Sequence, residues 1–144
     1  MSGYDPSATP PNWRLEYSWV ATDAGRSQSA RPRQKNDCTV RALAIAKGMQ
    51  YDDAYDLLAE AGRKCGRGFE FKDWIGKQPW ARKISFPATK GQRRMNPPTF
   101  VKQFPKGAFI CRVAKHVFAV RDGIVYDTFE NAPDRCIYMA WEIA

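Results

Sequence analysis

The chain has 144 residues, 44% of them hydrophobic, which is enough to fill the core of a single domain. It carries a formal net charge of +8 and four cysteines, without an apolar run long enough to span a bilayer or a secretory signal at its N-terminus. The sequence therefore predicts a cytoplasmic protein with no membrane partner, and it favours free thiols over a disulfide-stapled secreted domain.

The positive charge lies in separate clusters, chiefly within residues 26–35, 63–67 and 90–94. Such a charge favours an acidic partner or nucleic acid. Binding of nucleic acid through these clusters, with Trp74 and Trp80 as stacking groups, is one hypothesis. A solvated basic face with tryptophans in the core is the commoner explanation of this pattern.

No cofactor or metal site is predicted. Cys111 and His116 come closest to a metal-ligand spacing, but no CxxC pair accompanies them. The glycine-rich segment GRKCGRG, residues 62–68, lacks the GxxxxGK[ST] order of a phosphate-binding loop.

The N-terminal segment, residues 1–33, is predicted to be flexible and partly extended. Residues 1–12 are rich in Pro, Ser and Gly, a composition typical of disorder. From Trp13 to Trp19 apolar and polar residues alternate, which indicates a half-buried strand. A polar loop follows, and we expect the folded domain to span residues 34–144.

Two helices are predicted to open this domain. The first covers CTVRALAIAK, residues 38–47, and Gly48 ends it. Either Asn36 or Asp37 can cap its first turn. The second helix covers residues 52–61, with acidic residues in its first turn.

The rest of the chain is predicted to be rich in strands. Short elements are expected first, a helix at 69–75, a strand at 82–86 and a helix at 97–104. Four β-rich runs bounded by turn residues then follow, at 107–114, 116–121, 124–129 and 136–143. Helices followed by strands favour an α+β fold, with N-terminal helices packed on a C-terminal antiparallel sheet.

Cys38 lies at the predicted start of the first helix, where the partial positive charge of the helix end would stabilise a thiolate. A small buried cysteine on an alanine-rich helix would look the same in the sequence. A catalytic role for Cys38 therefore depends on a partner elsewhere in the chain.

The segment HVFAVRDGIVYDTF supplies that partner. Its Asp-Gly pair at 122–123 is a strong signal for a two-residue hairpin turn. Such a turn pairs Val120 with Val125, which places His116 and Asp127 on one face of the hairpin as diagonal neighbours, about 7 Å apart. The alternative is that both are polar residues at strand ends without a shared role.

If the three side chains meet, their chemistry is that of a catalytic triad. Asp127 would fix the tautomer and orientation of His116, which would deprotonate Cys38 and later protonate the leaving group. The Cys38 N–H at the helix start is one candidate donor to the oxyanion. Gln34 or Asn36 could supply the second, and Gln34 is preferred because Asn36 is also a candidate cap.

QKNDCTVRALA and KHVFAVRDGIVYDT resemble the papain-like cysteine peptidase superfamily, most closely its small bacterial and bacteriophage members and the bacteriocin-processing, double-glycine-leader peptidases. The resemblance implies a helix that starts at the cysteine and packs on an antiparallel sheet, and it assigns the triad to Cys38, His116 and Asp127. Gln34 stands nearer to the cysteine than the oxyanion glutamine of that superfamily. Thr39 replaces the glycine often found after the cysteine.

The leading functional hypothesis is a thiol hydrolase or peptidase that cleaves a peptide or isopeptide bond in a protein or peptide substrate through a thioester. The alternative is a non-catalytic binding or assembly protein with the same fold, such as a bacteriophage virion component or an inhibitor of a host protein. A phage origin would place the protein in the host cytoplasm or the virion.

Overall fold

The computed structural model describes residues 16–144, so the predictions for residues 1–12 and for the start of the alternating segment at Trp13 lie outside the described residues. Within that range the chain forms helices α1 (Cys38–Lys47), α2 (Tyr51–Glu60), α3 (Phe71–Ile75) and α4 (Pro97–Gln103), and strands β1 (Trp19–Ala21), β2 (Ala81–Ser85), β3 (Ala108–Val113), β4 (His116–Arg121), β5 (Ile124–Asp127) and β6 (Met139–Ile143). Among residues 16–144, no helix is long and apolar enough to cross a membrane.

Helix α1 begins and ends at its predicted residues. Its apolar face is buried, and Gly48 takes up a left-handed conformation with φ 69°, in which its N–H bonds to the carbonyl oxygens of Ala44 and Ile45. A side chain would be strained in that conformation, so glycine suits the end of this helix. The α2 helix lies within one residue of its predicted bounds.

The three short elements predicted between the helices and the last third are also present, with bounds that differ by one or two residues. Helix α4 begins with two prolines, and the Asn96 side chain accepts a hydrogen bond from the Thr99 N–H at 3.0 Å. Proline in the first turn and asparagine at the cap both favour a helix start here.

The strands form one sheet in the order β1-β5-β4-β3-β6-β2. Four of them are the strands predicted in the last third of the chain, and they occupy the middle of the sheet. The prediction of a C-terminal antiparallel sheet holds for these four strands, but the complete sheet differs from it in two respects. Strands β1 and β2 add edges from earlier in the sequence, and β1 pairs with β5 in parallel. The fold is α+β with a mixed sheet.

The hairpin of β4 and β5 has the predicted register. Val120 faces Val125 across the two strands, and the pairs on either side agree with it. Asp122 and Gly123 both have positive φ, 49° and 78°, as a type I′ turn requires. This turn and the alternation of apolar residues together fix which side chains leave each face.

Two apolar clusters make up the core, one on each face of the sheet. Ile110 and Ala119 belong to the cluster that contains residues of α1, α2 and α3. Their neighbours Phe109 and Val120 belong to the cluster that contains Phe100 of α4. Alternate residues of a strand point to opposite faces, so helices cover both sides of the sheet. Burial of each large apolar side chain contributes about 1.5–3 kcal/mol to this packing.

The described part of the N-terminal segment is joined to the rest of the domain. Strand β1 pairs with β5, and the Thr22 N–H donates to the carbonyl oxygen of Asp127 at 2.8 Å. Arg26 forms an ion pair with Asp37 at 2.9 Å. The segment from residue 16 to residue 33 therefore helps to hold the start of α1 and the end of β5.

Candidate active site

A cavity of about 560 Å³ opens beside the first turn of α1. Three segments line it: residues 36–41 at the start of α1, residues 67–71, and the turn end of the β3–β4 hairpin together with Phe129. Cys38 and His116 both face this cavity. Two of the three residues predicted to form a triad thus lie at its wall, where a substrate could reach them.

Cys38 is the first residue of α1 and is partly buried. Burial raises the pKa of its thiol, but hydrogen bonds from the His116 side chain and the Val117 N–H, with the positive charges of His116 and Arg41, outweigh burial and lower the pKa below its ordinary value. The start of the helix adds to the stabilisation of negative charge. Cys38 is therefore placed to react as a thiolate.

His116 is held between Cys38 and Asp127. Its Nε2 lies 2.5 Å from Asp127 Oδ2, which leaves Nδ1 as the ring nitrogen for Cys38. Burial lowers the pKa of His116, yet the hydrogen bonds to Asp127 and Cys38 and their negative charges outweigh it, so that the pKa is raised. A raised histidine pKa and a lowered thiol pKa favour a thiolate–imidazolium pair.

Asp127, at the end of β5, is buried and fully bonded. Besides His116, its carboxylate accepts hydrogen bonds from Asn131 Nδ2 at 2.9 Å, the Thr128 N–H at 2.8 Å and Arg41 Nη1 at 2.8 Å. Burial raises its pKa, but the hydrogen bond and charge of His116, together with the hydrogen bonds from Asn131 and the Thr128 N–H, outweigh burial, and the pKa is lowered. Asp127 therefore stays ionised and keeps the ring of His116 in one orientation.

One of the two capping predictions gave the Asp37 side chain as the cap of α1. In the structure this side chain makes no capping hydrogen bond. Asp37 occupies the capping position, but its carboxylate instead accepts hydrogen bonds from Arg26, Arg41 and the Tyr51 hydroxyl. A buried carboxylate gains more from two guanidinium groups than from a single backbone N–H. Burial raises the pKa of Asp37, and these partners outweigh it to give a lowered value.

Arg41 connects the two carboxylates and was not predicted from the sequence. Its Nε donates to Asp37 Oδ1 at 3.1 Å, and its Nη1 donates to Asp127 Oδ1 at 2.8 Å. Only 11% of its side chain is exposed. A signal was present, because Arg41 is an internal charge in the otherwise apolar run of α1 and stands four residues after Asp37.

Asn131 was missed as well, and no local signal could have found it. It is fully buried, its Nδ2 donates to Asp127, and its Oδ1 accepts from Arg135 at 3.0 Å. It lies in an irregular segment between β5 and β6. Only the tertiary fold brings it to the carboxylate.

The start of α1 presents backbone N–H groups to the cavity wall. The side chain of Asp37 makes no capping bond, and the first helical backbone bond is from the Arg41 N–H to the Asp37 carbonyl. Within residues 16–144, the N–H groups of Cys38 and Thr39 have no capping or backbone acceptor. The Thr39 hydroxyl is also buried without a partner in this part of the chain.

Gln34, the preferred second oxyanion donor, does not line the cavity. Its Oε1 accepts a hydrogen bond from Arg63 at 3.3 Å, and that arginine also binds the carbonyl oxygens of Lys35 and Asn36. Asn36, the other residue considered, does line the cavity. The structure therefore brings Asn36, and not Gln34, to the wall that holds Cys38.

Comparisons with protein-family models, with curated proteins and with solved structures gave no match to this chain. The resemblance to the papain-like superfamily accordingly rests on the two motifs quoted above and stays a prediction.

Proposed function

We propose that this chain is a thiol hydrolase of the papain-like type that cleaves a peptide or isopeptide bond. The observation that carries the proposal is the position of His116, which lies 2.5 Å from Asp127 on one side and interacts with the Cys38 thiol on the other, on the wall of an open cavity that both Cys38 and His116 line. Each member has the pKa shift that such chemistry needs, a lowered one for the thiol and a raised one for the imidazole.

In the first half of the reaction, the Cys38 thiolate attacks the carbonyl carbon, and the carbonyl electron pair moves to the oxygen. The N–H groups at the start of α1 are the donors that stabilise this oxyanion. As the intermediate collapses, the carbon–nitrogen bond breaks and the His116 imidazolium gives its proton to the leaving amine. The products are a Cys38 thioester and a free amine.

In the second half, neutral His116 takes a proton from water, and the resulting hydroxide attacks the thioester carbon. The carbon–sulfur bond breaks, which releases a carboxylic acid and restores the thiolate–imidazolium pair. Asp127 holds the ring of His116 in place through both halves and stays ionised.

Labelling with iodoacetamide tests the nucleophile. We expect Cys38 to be alkylated at neutral pH at least about tenfold faster than the exposed Cys65, because the pKa of the Cys38 thiol is lowered. Site-resolved mass spectrometry measures both rates in the same sample. The His116→Ala variant should lose this preference, and equal rates at the two cysteines in the unmodified chain would contradict the proposal.

Turnover separates a hydrolase from a binding protein that happens to hold a reactive thiol. With p-nitrophenyl acetate, a hydrolase should form an acetyl thioester at Cys38 and then lose it to water, with a burst of nitrophenol followed by steady release. The Cys38→Ala variant should show neither phase. An acetyl group that stays on Cys38 for hours would favour the non-catalytic binding or assembly protein.

A further inference from the structure

The cavity beside Cys38 has a strongly unequal charge on its walls. Three cationic side chains line it apart from the bridging Arg41: Arg112 and Lys115 on the hairpin side, and Arg67 on the opposite side. The acidic residues of the lining are Asp37, which is buried against its own partners, and the exposed Glu70. Apart from Arg41, the lining thus has three cationic side chains and a single exposed carboxylate.

The three cations also have no side-chain partner in the part of the chain that the structure describes. Arg26, Arg31, Arg41 and Arg82 each form an ion pair with a carboxylate. Within residues 16–144, the side chains of Arg67, Arg112 and Lys115 have neither a hydrogen bond nor an ion pair. These charges are therefore free to bind a group from outside the chain.

Two of these cations stand next to the reacting groups. Arg112 faces Val117 across the β3–β4 pair, and the N–H of Val117 bonds to the sulfur of Cys38. Lys115 directly precedes His116 in the sequence and lines the same wall. A positive potential at this position acts on the part of a substrate that lies closest to the attacked carbonyl.

We infer, on the basis of the function proposed above, that the substrate is an acidic peptide with an Asp or Glu side chain, or a terminal carboxylate, beside the scissile bond. A cleft lined by charges of one sign concentrates ligands of the opposite sign. The attraction is strongest where the cleft walls exclude water. The thiolate and the imidazolium cancel each other, so Arg112 and Lys115 dominate the potential near the acyl group. A nucleic acid would meet the same charges but offers no acyl group to the thiol.

A pair of alkylating agents measures this potential. Iodoacetate and iodoacetamide react with a thiolate in the same way but differ by one negative charge. We expect the ratio of the iodoacetate rate to the iodoacetamide rate at Cys38 to exceed the ratio for mercaptoethanol by about fivefold, as two nearby cations that each contribute a factor of about two to three would produce. The excess should fall as salt is added, because salt screens the interaction.

Variants assign the effect to the cations. Arg112→Gln and Lys115→Gln should each lower the rate ratio by about two- to threefold. Lys83→Gln is the matched control, because Lys83 lies on β2 at the far edge of the sheet and does not line the cavity. A change in thiolate population affects both reagents equally and cancels in the ratio.

The outcomes separate the two proposals. Fast labelling by iodoacetamide with a rate ratio equal to that of mercaptoethanol overturns the acidic substrate and leaves the hydrolase standing. A raised rate ratio that neither Arg112→Gln nor Lys115→Gln lowers also overturns the acidic substrate and leaves the hydrolase standing. A single-stranded oligonucleotide that blocks iodoacetamide labelling better than a poly-glutamate peptide would overturn the peptide in favour of nucleic acid. Slow labelling of Cys38 by both reagents overturns the hydrolase and the acidic substrate with it.

Discussion

Asp37 and Asp127 are both buried carboxylates bound by the guanidinium of Arg41, yet their other partners differ. Around Asp37 these are Arg26 and Tyr51, which tie the loop before α1 and the start of α2 to the start of α1. Around Asp127 they are His116 and Asn131. A carboxylate thus supports the fold at Asp37 and orients the imidazole at Asp127. The difference between the two roles comes from the partners of each carboxylate.

The largest expected effect is common to the two carboxylates. Asp37→Ala and Asp127→Ala should each lower the free energy of unfolding by about 3–5 kcal/mol, because each leaves the buried Arg41 with one anion fewer. Urea denaturation measures the loss. Asp134 is exposed and serves as the control, and Asp134→Ala should change the free energy of unfolding by less than about 0.5 kcal/mol. Losses below about 1 kcal/mol at both sites would mean that the two ion pairs of Arg41 add little to stability.

The second effect should distinguish the two carboxylates. Without Asp127, His116 loses the charge that raises its pKa, so a protonated imidazole no longer stabilises the thiolate. At pH 7 and low temperature, where the variants are folded, Asp127→Ala should slow iodoacetamide labelling of Cys38 by about 10- to 100-fold, and Asp37→Ala by less than about threefold.

The pH profile checks the sign of this effect. The pKa of Cys38 is lowered in the folded chain, so Cys38 holds more thiolate than an ordinary cysteine only at pH values below the ordinary thiol pKa. The rates of Asp127→Ala and of the unmodified chain should therefore converge as the pH rises past 9. Asp127→Asn should recover part of the rate, since an amide oxygen still accepts from Nε2. A constant ratio of rates at all pH values would refute this mechanism.

The smallest effect concerns Thr39, a polar side chain of the same region. Its hydroxyl is buried and unbonded within the described residues, so Thr39→Val should raise the free energy of unfolding by about 1 kcal/mol. Thr89→Val, in an exposed loop, serves as the control and should leave stability nearly unchanged. A loss of stability at position 39 would show that the hydroxyl has a partner in solution.

Local patterns were enough to predict much of this fold. The bounds of α1 follow from an apolar stripe that ends at Gly48, and the hairpin register follows from the Asp-Gly turn. That register led to the contact between His116 and Asp127. In each case the residues that interact are close in sequence, or the spacing of a turn determines how they pair.

Contacts between distant segments could not be predicted in this way. The parallel pairing of β1 with β5 joins residues more than a hundred positions apart, and the sequence holds no sign of it. The orientation of Gln34 is set by Arg63, which follows α2. Asp37 is one of two candidate caps by its place in the sequence, whereas in the structure distant side chains are its stronger partners.

The position of β6 affects the order in which the chain can assemble. Of the six strands it is made last, yet it lies between β3 and β2 in the sheet. Until residues 139–143 leave the ribosome, β3 presents an unpaired edge, and β2 has no neighbour to join. Pairing over such separations is slow. The nascent protein thus passes through a stage at which an open sheet edge can recruit a second chain, and a chaperone that shields strand edges would raise its yield.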